Sequence, residues 1–175
     1  MWYIILFILT LALDQITKII VDANKMHVCL IEGVLNISIS YNEGASFSFL
    51  HGVPWAQTFF IVLTVVILIA GLVFLMILKP KSKWLNASIA LMFSGTIGNF
   101  IDRLSFKCVR DFIDVPFFAN FNIADSCLCV GAFMVIVYVL FLDKDAIFKK
   151  KPAKAENGTA INTENDAKSE QKNAD

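Results

Sequence analysis

Large apolar side chains gather into four runs, at about residues 2–21, 55–78, 84–101 and 122–142, with few charges inside them. Each run is close to the ~20 residues that a helix needs to cross a bilayer. The pattern predicts an all-α polytopic membrane protein with four transmembrane helices. Between the first two runs the period changes. Leu35, Ile37, Ile39 and Tyr41 alternate with Asn36, Ser38, Ser40 and Asn42, which is the signature of a strand with one apolar face. Glu43-Gly44 supplies a turn, and Ser46, Phe47, Ser48 and Phe49 alternate again, so a small extracytoplasmic β-hairpin on the outer membrane face is expected.

Composition agrees with a lipid solvent. Of 175 residues 57% are hydrophobic, and the mean hydropathy is +0.67. Fifteen basic residues balance fifteen acidic ones, so net charge gives no reason to expect nucleic acid or an acidic partner. The placement of the charges is more informative. Lys79, Lys81 and Lys83 lie between the second and third runs, and Lys144, Lys149, Lys150, Lys151 and Lys154 follow the fourth. The positive-inside rule makes these regions and both termini cytoplasmic, leaving 22–54 and 103–121 outside. Arg103, Lys107 and Arg110 oppose that orientation but are less dense than the two lysine clusters. The first run lacks a basic leader and a small-x-small cleavage site, so it reads as a retained span. Residues 1–148 are expected to form the membrane domain. Residues 149–175, rich in Lys, Glu, Asn and Ala, are expected to be a disordered polar cytoplasmic tail. Cys29, Cys108, Cys127 and Cys129 have no metal-ligand spacing and read as unpaired core residues; His27 and His51 read as loop residues.

Ionisable and amide groups inside apolar runs are costly in hydrocarbon, and they mark function. Asp14, Asn99, Asp102, Arg103, Asn122 and Asp125 are such groups. Asn99, Asp102 and Arg103 share one face of the third helix, with Ser94, Gly95 and Gly98 leaving room for a close neighbour. Asp102-Arg103 reads as a supporting pair at the membrane interface. Asp14, with Gln15, Thr17 and Lys18, reads either as the polar end of the first span or as a supporting site residue. Asn122, Asp125, Ser126 and Cys129 form a polar stripe on the fourth helix. Asp111 and Asp114 precede Asp125 on the same membrane face, and spacing does not choose between them. Two carboxylates in a low-dielectric cleft cannot both ionise easily, so one keeps a proton while the other is charged. Such a pair can activate water and protonate a peptide carbonyl without a metal, a cofactor or a covalent intermediate. Asn42, Asn99 and Asn122 can orient it without adding charge. A small proton-coupled carrier would use similar groups at mid-membrane depth, yet here they collect at one end, and the second span offers only Thr64 and Gly71 to line a path. No zinc-protease helix signature is present, and no serine has a base near it.

Five blocks in order resemble the lipoprotein signal peptidase (signal peptidase II) family of aspartic peptidases. They are Leu13-Asp14-Gln15-Ile16-Thr17-Lys18, Asn42-Glu43-Gly44-Ala45-Ser46-Phe47, Gly98-Asn99-Phe100-Ile101-Asp102-Arg103, Val109-Arg110-Asp111-Phe112 and Phe121-Asn122-Ile123-Ala124-Asp125. The resemblance implies Asp111, rather than Asp114, and Asp125 as the catalytic pair. It implies Asp14, Asn42, Gly44, Asn99, Asp102, Arg103 and Asn122 as substrate-binding or supporting residues. It further implies a diacylglyceryl-modified bacterial prolipoprotein as substrate, cleavage just before the lipidated cysteine, globomycin-type peptide inhibitors, and a monomer in the bacterial inner membrane with its site near the outer face. Ser46 and Ser94 stand where the family usually has alanine and glycine.

Overall fold

The computed structural model describes residues 2–44, 53, 55–78 and 80–142. Four helices and one small sheet follow in the order α1 (Trp2–Ala23), β1 (His27–Ile31), β2 (Leu35–Asn42), α2 (Ala56–Leu78), α3 (Lys83–Phe106), β3 (Val109–Asp114), β4 (Asn120–Phe121) and α4 (Ile123–Val137). One wider turn, Tyr138–Leu142, prolongs α4. By length and composition α1, α2 and 123–142 can each cross a membrane. The third apolar run forms α3, which is not one of these three and continues past the run through Asp102 and Arg103 to Phe106.

The reason α3 is the polar helix lies in its surroundings. α1 and α2 present large apolar side chains outward along their length, Ile5, Leu9, Ile16, Val62, Ile69 and Met76 among them. α3 instead buries Ala87, Ser88, Ala90, Ser94, Gly95, Gly98, Asn99 and Asp102. Where helices are already in lipid, hydrophobicity does not draw them together, and small residues that allow close backbone approach decide the packing. A Cβ on Gly95 would collide with the carbonyl oxygen of Ala124 on α4. Ser94 adds a polar contact, its Oγ accepting a 2.8 Å hydrogen bond from Thr10 on α1.

The helix ends are set locally. Ser82 caps α3 by accepting from the Leu85 N–H at 3.4 Å, and Lys107 closes it in the left-handed region at φ 58°, its N–H bonding the Arg103 carbonyl at 3.1 Å. That turn reverses the chain into β3. Asn122 caps α4 with a reciprocal capping box, its side chain accepting from the Asp125 N–H while Asp125 accepts from the Asn122 N–H. Asn122 therefore stands just outside the helix, not within the helical stripe that its spacing suggested.

The sheet is antiparallel in the order β1-β2-β3-β4. Leu35–Asn42 is a strand, as the alternation predicts, but its partners are β1 and β3, with Ser40 opposite Asp111 and Asn42 opposite Val109. The expected partner Ser46–Phe49 lies outside the described residues, as do His51 and the polar tail. His27 opens β1 and lies beside Ser38 at 3.1 Å, so it belongs to a strand instead of a loop. Two of the four cysteines, Cys29 and Cys129, are exposed, which corrects the core assignment for them; Cys108 and Cys127 are buried.

Gly95→Val should drive a side chain into the Ala124 carbonyl and lower the unfolding free energy in detergent by about 1–3 kcal/mol. An unchanged melting temperature would show that α3 and α4 do not approach this closely.

Candidate active site

The site is built on a buried cluster of four charges. Asp14 and Lys18 lie one turn apart on α1 and pair at 2.9 Å. Lys18 also pairs with Asp102 of α3 at 3.3 Å. Asp102 accepts from Arg110 of β3 twice, from the guanidinium at 2.7 Å and from the backbone N–H at 3.0 Å. Lys18 and Asp102 are wholly excluded from water, and Asp14 nearly so. Two anions and two cations sum to zero, which is how the fold tolerates them: a desolvated charge is costly unless paired and hydrogen-bonded. Asp14 has a further duty, since its other oxygen accepts from the Ala124 N–H at 2.8 Å in the first turn of α4. Gly98 makes room, because a Cβ there would come within 2.6 Å of the Asp14 carboxylate.

Two amides connect this cluster to Asp111 and Asp125, and a third reaches Asp111 from the sheet. Asn99 takes a 3.0 Å hydrogen bond from Lys18 and donates to Asp125 at 2.7 Å. Asn122 donates to Asp111 at 2.7 Å and to the Asn99 oxygen at 3.1 Å. Asn42, from the end of β2, donates to the second Asp111 oxygen at 3.1 Å. The Asn42 side chain is itself steadied by the Gly44 N–H, which donates to it at 2.9 Å in a tight local turn. Both carboxylates face one cleft of about 610 Å³, with Asn42, Asn99, Arg103, Val109, Phe118, Phe121 and Cys129 also on its walls. Asp111 is 2% exposed and Asp125 is half-buried, so the two carboxylates differ in their access to water.

Every sequence-predicted site residue reaches this region, but not always in the expected role. Asp102 and Arg103 do not act as a pair. Asp102 turns to Lys18 and Arg110, whereas Arg103, on the next face of α3, donates to the Gly44 carbonyl at 3.2 Å and stacks its guanidinium 5.0 Å over the Phe60 ring. Asp14 is a buried anchor of α4 and not the interfacial end of a span. Asp114 lies apart, accepting from Asn36 at 3.1 Å. Two residues of the cluster were not singled out by sequence reasoning. Lys18 carried a usable signal, being four residues after Asp14 in an apolar run; Arg110 carried none, since its partner comes from another element.

A profile of the family described as Signal peptidase (SPase) II matches residues 6–141. The chain belongs to that family. It is similar to the Lipoprotein signal peptidase of Coxiella burnetii (strain Dugway 5J108-111), 38% identical over 77% of this chain and 87% of the relative. It is 40% identical to that of Bacillus pumilus (strain SAFR-032) over 79% and 92%. With the protein of the same description from Lactiplantibacillus plantarum the identity is 36% over 86% and 100%. A solved structure described as "Bacterial membrane enzyme structure by the in meso method at 2.3 A resolution" superposes with a TM-score of 0.73 at 35% identity, covering 87% of this chain and 94% of that one. The family is one of aspartic peptidases, which is the chemistry that two carboxylates sharing one cleft can perform.

Burial pushes the Asp111 carboxyl up to about 7, and the nearby Asp125 adds to the rise against the opposing donation from Asn42 and Asn122. The folded value lies above the ordinary 3.8, so folding favours the protonated acid. The stability this contributes is fully present below the ordinary value and is lost as pH rises toward about 7. Asp111→Asn keeps the shape without the charge. Thermal melts in detergent should therefore show a flatter pH profile for the variant and a higher melting temperature than wild type at about pH 8; parallel profiles would place the charge of Asp111 in water.

Proposed function

We propose that Asp111 and Asp125 are the catalytic pair of an intramembrane aspartic endopeptidase that removes the signal peptide from diacylglyceryl-modified bacterial prolipoproteins, cleaving before the lipidated cysteine. The observation that carries the reading is the convergence of the two carboxylates, from β3 and α4, on one cleft where amide donors from three elements meet them. Asp125 draws a proton from the attacking water. Asp111, which holds a proton near neutral pH, gives it to the scissile carbonyl oxygen as the tetrahedral intermediate forms. Collapse breaks the C–N bond; the intermediate's hydroxyl returns a proton to Asp111 while Asp125 protonates the leaving amine. The base and acid are then restored.

The apolar cleft wall around Leu128 and Val130 on α4 suits a substrate that carries acyl chains and arrives within the bilayer. Arg103 lines the cleft and donates to the Gly44 carbonyl, and the two support the substrate's peptide backbone. A peptide inhibitor of the globomycin type would occupy the same cleft, and the chain would act as a monomer without cofactor. Residues 1–148 form the peptidase domain and 149–175 a polar tail. The chain crosses the inner membrane four times, with α3 as the fourth span. A helix enclosed by other helices can be polar where its neighbours cannot, and α3 has that placement. The lysines flanking α3's start support cytoplasmic termini and a site near the outer face. Family membership decides against the carrier alternative.

The test is cleavage of a diacylglyceryl-modified prolipoprotein by purified protein in detergent. Wild type should cut before the lipidated cysteine, with kcat/KM falling as pH rises past about 7. Asp111→Asn and Asp125→Asn, folded as judged by melting, should each lose at least ~1,000-fold. Cutting by either folded variant at near wild-type rate would remove that residue from the mechanism.

A further inference from the structure

The amides around the two carboxylates all point the same way, and the reason can be traced through the hydrogen bonds. All four carboxylate oxygens accept an N–H. Asp111 accepts from Asn122 on one oxygen and from Asn42 on the other. Asp125 accepts from Asn99 on one and from the Asn122 backbone N–H on the other. A side-chain amide can turn over and present its oxygen instead, which would set acceptor against carboxylate. At Asn122 the cap prevents this, because its oxygen already accepts the Asp125 N–H at 2.9 Å. At Asn42 the Gly44 N–H does the same.

At Asn99 the oxygen is held by two donors, Asn122 within the site at 3.1 Å and a cation outside the cleft. Lys18 is wholly buried and has three N–H bonds to place; they go to Asp14, Asp102 and the Asn99 oxygen at 2.9, 3.3 and 3.0 Å. An ammonium accepts no hydrogen bond, so only the amide oxygen can face it. The amide nitrogen is thereby directed at Asp125.

We propose that Lys18 is a positioning residue for catalysis, fixing the direction of the Asn99 amide so that the proton shared by Asp111 and Asp125 is kept on the lone pairs that face the cleft. The N–H donors fill the lone pairs on the protein side of both carboxylates. The proton then sits where the scissile carbonyl arrives. Without Lys18 the Asn99 oxygen keeps only the side-chain N–H of Asn122, an amide that Asn99 shares with Asp111. The Asn99 amide then turns more readily, its oxygen accepts a hydrogen bond from protonated Asp125, and the shared proton is drawn to the protein side, away from substrate. The effect falls on kcat, because Lys18 does not line the cleft.

The inference rests on the pairing of Asp111 with Asp125 proposed above. That reading is tested separately, since Asp111→Asn and Asp125→Asn would remain active if it were wrong, whatever Lys18 does. Here the comparison is Lys18→Met, which keeps length but donates nothing, with Lys18→Gln, a neutral donor. With the diacylglyceryl-modified substrate in detergent, Lys18→Met should lower kcat ~100-fold with KM within ~3-fold of wild type. Lys18→Gln should recover at least ~10-fold of that loss. If the single variants do not fold, the same comparison is made in Asp14→Asn, which removes an anion along with the cation while keeping an oxygen for the Ala124 N–H. Wild-type kcat in folded Lys18→Met, or equal losses in the two variants, would overturn the proposal.

Discussion

Four charges that cannot reach water hold the protein's working parts together. Asp14 and Lys18 come from α1, Asp102 from α3 and Arg110 from β3, and Asp14 also holds the first turn of α4. The cluster thus ties α1, α3 and α4 to β3. In lipid the hydrophobic effect does not specify which helix faces which, so this cluster and the small-residue contacts at Gly95 and Gly98 supply the specificity. Such clusters are weak evidence of net stability, but removing one member is expensive because the rest are left buried and unpaired. Their use here is registration: Asp125 is three residues from the start of α4, and Asp111 immediately follows Arg110.

One amide separates this cluster from the chemistry. Asn99 touches Lys18 at one end and Asp125 at the other, and Asn122 links it to Asp111. The arrangement fixes both carboxylates by donation from neutral groups, Asn42, Asn99 and Asn122. Neutral donors oppose desolvation without cancelling it, and the Asp111 carboxyl stays raised to about 7. A cation in direct contact would have lowered it and lost the acid. Distance from Lys18 is thus part of the design of a site that must work near neutral pH.

The helices were legible in the sequence because hydropathy needs only local information, and Leu35–Asn42 was legible because one face alternates cleanly. The rest of the sheet was hidden. In β3, Val109, Arg110, Asp111 and Phe112 are all buried, so the strand shows no alternation; β1 is exposed along its whole length and shows none either. The site residues were legible as polar groups in apolar runs, and the convergence of Asp111 with Asp125 followed from the short loop between them. What the spacing could not supply was the pairing. Asp102 is adjacent in sequence to Arg103, yet successive helical residues point about 100° apart, and the cation that reaches Asp102 comes from a strand eight residues later. Likewise Asn122 has helical spacing with Asp125 because a cap sits one step before its helix.

A double-mutant cycle on Asp102 and Arg110 addresses the cluster most directly. Unfolding free energies in detergent would be measured for Asp102→Asn, Arg110→Met and the pair together. Each single change should cost about 3–5 kcal/mol and the double no more than either alone, since it leaves no unpaired charge between them. Costs that simply add, or single variants as stable as wild type, would show that the buried charges do not hold the site together.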